Sequence, residues 1–273
     1  MEQVLRIKSD KAELVATLHF PDDGIKNDAK VPLIIICHGF VGSRIGVNRL
    51  FVKAAQQFVS YGYAVLRFDY EGCGESSGEY GSYGLDRFIQ QTKDVISFGS
   101  EIKNVDREQI ILVGHSLGGA VAALTAARDP RIKKLVMWSA VGHPFHDIVN
   151  IVGEDEYKKT LSIPYIDYEG YAFTHPFFHS LSQYAPLEEC KEYTGEVFLA
   201  HGTEDEVIPV DYCFHYQHAF NTGRSRSCTK EIIPGSDHTF SSIKGSKQLF
   251  ASTLQWILKK TSHPSCVWKN KAI

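Results

Sequence analysis

Between Val31 and Cys37 the chain reads Val-Pro-Leu-Ile-Ile-Ile-Cys, a run with no polar side chain to turn toward water. A strand with one wet face alternates apolar and polar residues, whereas a strand written this way is buried on both faces. Such a strand belongs in the middle of a mostly parallel sheet, which needs helices as cover on each side. The rest of the chain supplies them. Further strand-like runs fall at 63–69, 109–114, 133–140, 196–201 and 229–234. Helical stretches lie between and after them, near 47–61, 84–98, 117–128, 209–220 and 242–259. The last carries Phe250, Leu254, Ile257 and Leu258 at helical spacing. Residues 3–8 and 12–20 read as an opening antiparallel pair, with Leu14, Ala16 and Leu18 alternating against Val15, Thr17 and His19. The expected class is α/β. A chain of 273 residues suits one such domain with an insertion.

The insertion is expected at 143–194, where the strand–helix rhythm stops and aromatics crowd in, among them Phe145, Tyr157, Phe173, Phe177 and Phe178. A structureless loop of that length does not suit a compact domain. The segment therefore reads as a small cap over the carboxyl edge of the sheet. Most of its aromatics are expected to pack a satellite core, with two or three facing a ligand. Tyr165, Tyr168 and Tyr171 are the substrate-binding candidates. Residues 1–142 and 195–260 then form the core, and 261–273, which lack periodicity, a poorly ordered tail.

Chemistry concentrates at Ile110-Ile111-Leu112-Val113-Gly114-His115-Ser116-Leu117-Gly118-Gly119-Ala120, where an apolar strand enters Gly-x-Ser-x-Gly and an Ala-rich helix follows. Small residues two before and two after the serine permit a sharp turn with the hydroxyl at its apex. The helix that starts there favours negative charge beside it. A serine hydroxyl needs a base within hydrogen-bond reach. One strand ends in His201-Gly202-Thr203-Glu204-Asp205-Glu206 and another in Gly235-Ser236-Asp237-His238, so both deliver titratable groups to the carboxyl edge. The reading is Ser116 as nucleophile, His238 as base and Asp205 as the acid that orients it. Glu204 is the rival acid, and Asp237, next to the histidine, reads as a loop residue. His38, His115 and His201 sit at strand ends and read as shaping backbone. Two backbone N–H groups should hold the oxyanion: that of Leu117, and that of Phe40 in the turn Cys37-His38-Gly39-Phe40-Val41-Gly42.

Other signals exclude more than they assign. A net charge of −3 and a pI near 6.5 give no electrostatic footprint for nucleic acid or an anionic membrane. No window approaches the roughly 20 apolar residues of a membrane span, so no stable membrane association is expected. Nothing at Met1–Arg6 has the apolar length of a signal peptide, and the six cysteines are scattered, which reads as free thiols in a cytoplasmic protein. His175 with His179, and His215 with His218, have spacings that could hold a metal on a helix, yet neither shows a third ligand. No metal and no cofactor are expected. The glycine-rich stretch Arg67–Gly78 lacks a P-loop lysine and reads as a structural loop. A homodimer is left open.

Together these pieces resemble the α/β-hydrolase superfamily over nearly the whole chain. The carrying motifs are His38-Gly39-Phe40, Arg67-Phe68-Asp69-Tyr70-Glu71-Gly72-Cys73-Gly74-Glu75-Ser76, Gly114-His115-Ser116-Leu117-Gly118-Gly119, His201-Gly202-Thr203-Glu204-Asp205 and Gly235-Ser236-Asp237-His238. Within the superfamily the chain is most similar to bacterial cinnamoyl/feruloyl esterases and related carboxylesterases, near the monoacylglycerol lipase and serine aminopeptidase-like groups. It departs from the feruloyl esterases in having Leu117 where they carry Gln, and Cys73 where His or Arg is common. The resemblance implies hydrolysis of a small-molecule ester through an acyl-enzyme. Peptidase, thioesterase or acyltransferase chemistry on the same residues is the alternative, and a non-catalytic binding module a more distant one.

Overall fold

The computed structural model describes residues 1–21 and 30–259. The expected tail at 261–273 and Cys266 therefore lie outside the described residues. In chain order the strands are β1 (Glu2–Ser9), β2 (Ala12–His19), β3 (Val31–Cys37), β4 (Ala64–Phe68), β5 (Val105–His115), β6 (Ile132–Trp138), β7 (Ile166–Tyr168), β8 (Tyr171–Phe173), β9 (Glu196–Gly202) and β10 (Ser227–Ile233). The helices are α1 (Leu50–Ser60), α2 (Leu85–Glu101), α3 (Leu117–Ala126), α4 (Pro144–Val152), α5 (Glu154–Lys159), α6 (His175–Ser182), α7 (Pro186–Glu189), α8 (Asp211–Thr222) and α9 (Ile243–Leu258).

Eight of the described strands form one sheet in the order β1-β2-β4-β3-β5-β6-β9-β10. Pairing is antiparallel for β1 with β2 and for β2 with β4, and parallel from β4 across to β10. The run at 31–37 is the strand the sequence describes, between β4 and β5 with Leu33, Ile34, Ile35 and Ile36 buried. Alternation along it sorts the core into two layers. Leu33 and Ile35 join Leu66, Leu112 and Leu135 under α2, α3 and α8, while Ile34 and Ile36 join Val65, Val113 and Val136 under α1 and α9. At roughly 1.5–3 kcal/mol per fully buried aliphatic side chain, these layers dominate the stability.

Between β6 and β9 the chain forms α4, α5, the β7–β8 hairpin, α6 and α7. Its aromatics do not pack a satellite core, which corrects the sequence expectation. Phe173, Phe177 and Phe178 belong to the same apolar layer as β3 and α2. The joint is aromatic. Phe40, at the end of β3, and Tyr80, ahead of α2, meet the Phe173 ring with centroids 5.1 and 5.9 Å apart. Rings large enough to reach across the edge of the sheet make the two cores one.

Candidate active site

The parallel strands β3, β5, β6, β9 and β10 all end at one edge, and each sends a loop into the site. At the end of β5 the chain turns through Ser116, with φ 58° and ψ −126°, directly into α3. This is a costly conformation for a residue with a Cβ, and the surroundings impose it. Ser116 N–H donates to the Trp138 carbonyl at 3.0 Å, and the Ser116 carbonyl accepts from Gly119 at 2.9 Å and Val141 at 3.1 Å. A Cβ at Gly118 would overlap the carbonyl oxygens of Cys37 and His38, which is why only glycine fits there. Ser116 is buried at 6% exposure, and the N–H of Leu117 opens the helix with no intrahelical acceptor.

The loop after β3 lies against the serine. A Cβ added to Gly39 would stand 2.9 Å from Ser116 Cβ and 3.3 Å from its Oγ. His38, 1% exposed, governs this loop from beneath. Tyr70 N–H donates to His38 Nε2 at 3.1 Å, which leaves Nδ1 protonated to donate to the Gly39 carbonyl at 2.8 Å. Burial pushes the imidazole toward its neutral form. The Gly39–Phe40 peptide is trans, so holding its carbonyl oxygen toward His38 turns the Phe40 N–H the opposite way.

Asp205 and His238 come from the ends of β9 and β10. His238 Nδ1 lies 2.8 Å from Asp205 Oδ2, and the Asp205 side chain has no exposed surface. Backbone N–H groups of Val207 and Ile208 donate to Asp205 Oδ1 at 3.0 and 2.8 Å, and His201 Nε2 stands 3.0 Å from Oδ2. Burial works to raise the pKa of this carboxyl. Hydrogen bonds from His201 and His238 outweigh it and hold the group well below the usual carboxylate range. An anionic Asp205 keeps the proton of His238 on Nδ1 and its Nε2 lone pair available. The position of His238 is tied to the nucleophile strand, because His115 Nε2 donates to the His238 carbonyl at 2.8 Å. Burial, then the neighbouring His238, pushes the His115 pKa down to about 3, so it stays neutral.

Sequence reasoning places the nucleophile, acid and base at one edge, and the structure brings all three strand ends there. The strand-end histidines do hold backbone: His38, His115 and His201 reach the carbonyls of Gly39, His238 and Ile208. Glu204 has no side-chain link to His238 among the described residues, and the Asp237 carboxyl binds Ser241 N–H at 2.8 Å as a loop tie. Of the three tyrosines, Tyr168 packs on Phe40 at 5.9 Å. Tyr171 lies near buried Cys73 and packs edge-on against Tyr80. Tyr165 is 56% exposed and makes no ring contact with a described residue. The Leu117 side chain is buried in the core, so this departure from the feruloyl esterase pattern concerns packing under the elbow. Cys37, Cys73, Cys190, Cys213 and Cys228 are all free thiols.

One clamp was not legible in the sequence. Buried Asp69 accepts from Arg44 N–H at 2.6 Å, from the Arg44 guanidinium and from Glu75 N–H at 3.1 Å. Arg67, 3% exposed, donates to His19 Nε2 at 3.0 Å and to the Arg44 carbonyl. The pair staples the loop after β3 to the glycine-rich loop after β4. A charged Arg-Phe-Asp at a strand end was the available signal; its partner Arg44 had none. Among the described residues no helix is long and apolar enough to cross a membrane, and no three His, Cys, Asp or Glu are grouped to hold a metal ion.

The sequence pattern of the serine aminopeptidase S33 hydrolase family matches residues 28–154. An uncharacterized 31.7 kDa protein of the traX-finO intergenic region of Escherichia coli is 39% identical over 128 residues, 45% of this chain and 41% of that one. The mitochondrial palmitoyl-protein thioesterase ABHD10 of Rattus norvegicus is 31% identical over 189 residues, 66% of this chain and 61% of its own length. The chain thus spans less than two thirds of these relatives. Among solved structures, Est1E of Butyrivibrio proteoclasticus with bound ferulic acid superposes with a TM-score of 0.75 at 24% identity. That likeness covers 93% of this chain and all of Est1E, and it is one of fold.

Proposed function

We propose that this chain, a member of the α/β-hydrolase superfamily, is a serine esterase that cleaves small to medium carboxylic esters through an acyl-enzyme. The observation that carries the reading is the 2.8 Å bond from His238 to Asp205, with the His238 carbonyl held by His115, the residue before Ser116. In this reading His238 Nε2 takes the Ser116 proton as Oγ attacks the ester carbonyl, and Asp205 stabilises the imidazolium. The N–H groups of Leu117 and Phe40 receive the oxyanion. His238 returns the proton to the leaving alcohol, and water then repeats the sequence on the acyl-serine. No step calls for a cofactor. Residues 143–194 act as the cap, with Tyr168 beside Phe40 forming one wall of the substrate site. Tyr165 flanks it from the exposed rim, and Tyr171 from the β7–β8 hairpin.

Two findings bear on the acyl group. The walls around Phe40 are aromatic, and Est1E, which shares the fold, binds ferulic acid. These favour aromatic or hydroxycinnamoyl esters within the class. The rat relative is a thioesterase, so a palmitoyl thioester belongs beside the oxygen esters in any test. The experiment is a rate panel on p-nitrophenyl acetate, butyrate and octanoate, methyl ferulate and a palmitoyl thioester, with Ser116→Ala as control. The expected result is ester turnover that falls by roughly 10⁴–10⁶ in kcat in Ser116→Ala, with unchanged circular dichroism. An undiminished rate in that variant refutes the assignment, and turnover of the thioester alone replaces the oxygen-ester reading.

A further inference from the structure

The histidines at the Ser116 edge have backbone partners. Another pair, on α6, has none. That helix and the turn leading into α2 border a groove of about 520 Å³, lined by Tyr83, Asp86, His175, His179, Gln183 and Tyr184 among others. His175 and His179 stand one turn apart, which puts both imidazoles on one face of α6. Their ring centroids are 6.2 Å apart and their planes lie within 30°. Neither ring makes a hydrogen bond to a described residue, and Nδ1 of His175 is buried without a partner. Asp86, the acid of this groove, is already engaged by the Ser180 hydroxyl.

Two unpartnered imidazoles at this spacing have a definite chemistry. With a metal–nitrogen bond of about 2.1 Å, two imidazoles that share one ion at the roughly 90–110° angles of such ions stand with their centroids about 4.5–5.3 Å apart. The observed separation is about 1 Å wider, and His179, which is exposed, closes it by rotating its ring toward His175. We propose that His175 and His179 form a bidentate site for a divalent transition-metal ion of the imidazole-binding kind, such as Ni²⁺, Cu²⁺ or Zn²⁺. Water completes the coordination, since no third protein ligand is grouped with the pair. The ion ties Nε2 of His175, whose Nδ1 is buried, to a ring nitrogen of His179 across one turn of an eight-residue helix, and so binds the folded helix in preference to the unfolded chain. It stands on the groove alone and is separate from the esterase reading.

The test is calorimetric titration of the full chain with Ni²⁺, which leaves the free thiols unoxidised, together with thermal unfolding in NiCl₂. One saturable site is expected in the wild type, with a rise in Tm. Losing one arm of a chelate removes the advantage of the second, intramolecular bond, so His179→Ala should bind at least roughly 100-fold more weakly and lose the Tm rise. Because His179 is exposed, this variant should fold normally. The variant His215→Ala/His218→Ala, altered at the other paired spacing, should keep the site. Absence of a saturable site in the wild type overturns the proposal. So does a stoichiometry and Tm rise that survive in both His179→Ala and His175→Ala/His179→Ala.

Discussion

The turn at Ser116 and the segment between β6 and β9 share one edge of the sheet and are held by opposite means. At the turn, backbone meets backbone: Gly118 lies against the carbonyls of Cys37 and His38, and Gly39 has no room for a Cβ beside Ser116. In the segment, ring meets ring, with Phe173 and Phe177 at 4.7 Å and Phe40 and Tyr168 at 5.9 Å. A side chain relieves a bad contact by changing rotamer or repacking, at a cost below about 1.5 kcal/mol for volume-conserving swaps. A backbone clash has no such exit. The proposed chemistry is thus fixed in parts of the molecule that cannot adjust, and substrate preference in parts that can.

That contrast can be broken by experiment, and after Ser116 itself the largest effect is expected at the acid. Asp205→Asn keeps an oxygen for the N–H groups of Val207 and Ile208 but no longer fixes the His238 tautomer, so kcat should fall by about 10⁴ with the fold intact. A loss under tenfold would pass the role to another acid. Next comes His38, which acts through the Gly39–Phe40 peptide. His38→Ala should lower kcat by about 10²–10³, the effect of losing one oxyanion donor, with KM little changed. His38→Gln, which retains a donor, should recover part of that loss. Affinity for a trifluoromethyl ketone should fall in parallel with kcat. Equal losses in KM would show that His38 merely shapes the substrate site.

Acid sensitivity probes the rigid side as a whole. His115 is held at about 3 when folded against an ordinary 6.5, so the unfolded chain takes up the proton first. Its contribution is fully present above pH 6.5 and is lost progressively as pH falls toward 3, at up to about 1.4 kcal/mol per pH unit. His38 and His19, also lowered by burial, add in the same direction. Urea unfolding at pH 7, 6 and 5 should therefore show falling midpoints, and a flat profile would mean that His115 is charged in the folded protein. The smallest effect belongs to the adjustable side. Tyr168→Ala removes its ring pairs with Phe40 and Phe173, about 0.5–1.5 kcal/mol each, and should change the ratio of octanoate to acetate turnover twofold to tenfold. A Tyr168→Ala effect on kcat as large as that of Asp205→Asn would erase the distinction between the two regions.

Much of the molecule was legible because its signals are local. The unbroken apolar run at 31–37 requires burial on both faces, and Gly-His-Ser-Leu-Gly between strand and helix requires the sharp turn, whatever surrounds them. The order of Ser116, Asp205 and His238 followed from strand ends that all leave one edge. The acid was harder to read, since Glu204, Asp205 and Glu206 differ by one residue and a different direction. Of the three, it is Asp205 that the turn supplies with the Val207 and Ile208 N–H groups and sets 2.8 Å from His238 Nδ1. The satellite core was misjudged for a related reason. Periodicity reports which side of an element is apolar and carries no information about what it meets, so the contact of Phe40 and Tyr80 with Phe173 was invisible.

By itself the sequence determined the main elements outside 143–194, the buried strand, the sharp turn at Ser116 and the set of groups delivered to one edge. Each of these depends on neighbours a few residues apart, whose sterics the chain carries with it. The tertiary structure alone decided the Arg44–Asp69 clamp, the tautomer of His38, the shared aromatic core and the unpartnered histidines of α6. These depend on pairs separated by 25 residues or more, or on what the fold leaves without a partner, as at His175. Closing such distances takes the burial of the whole core, and no window of sequence contains it.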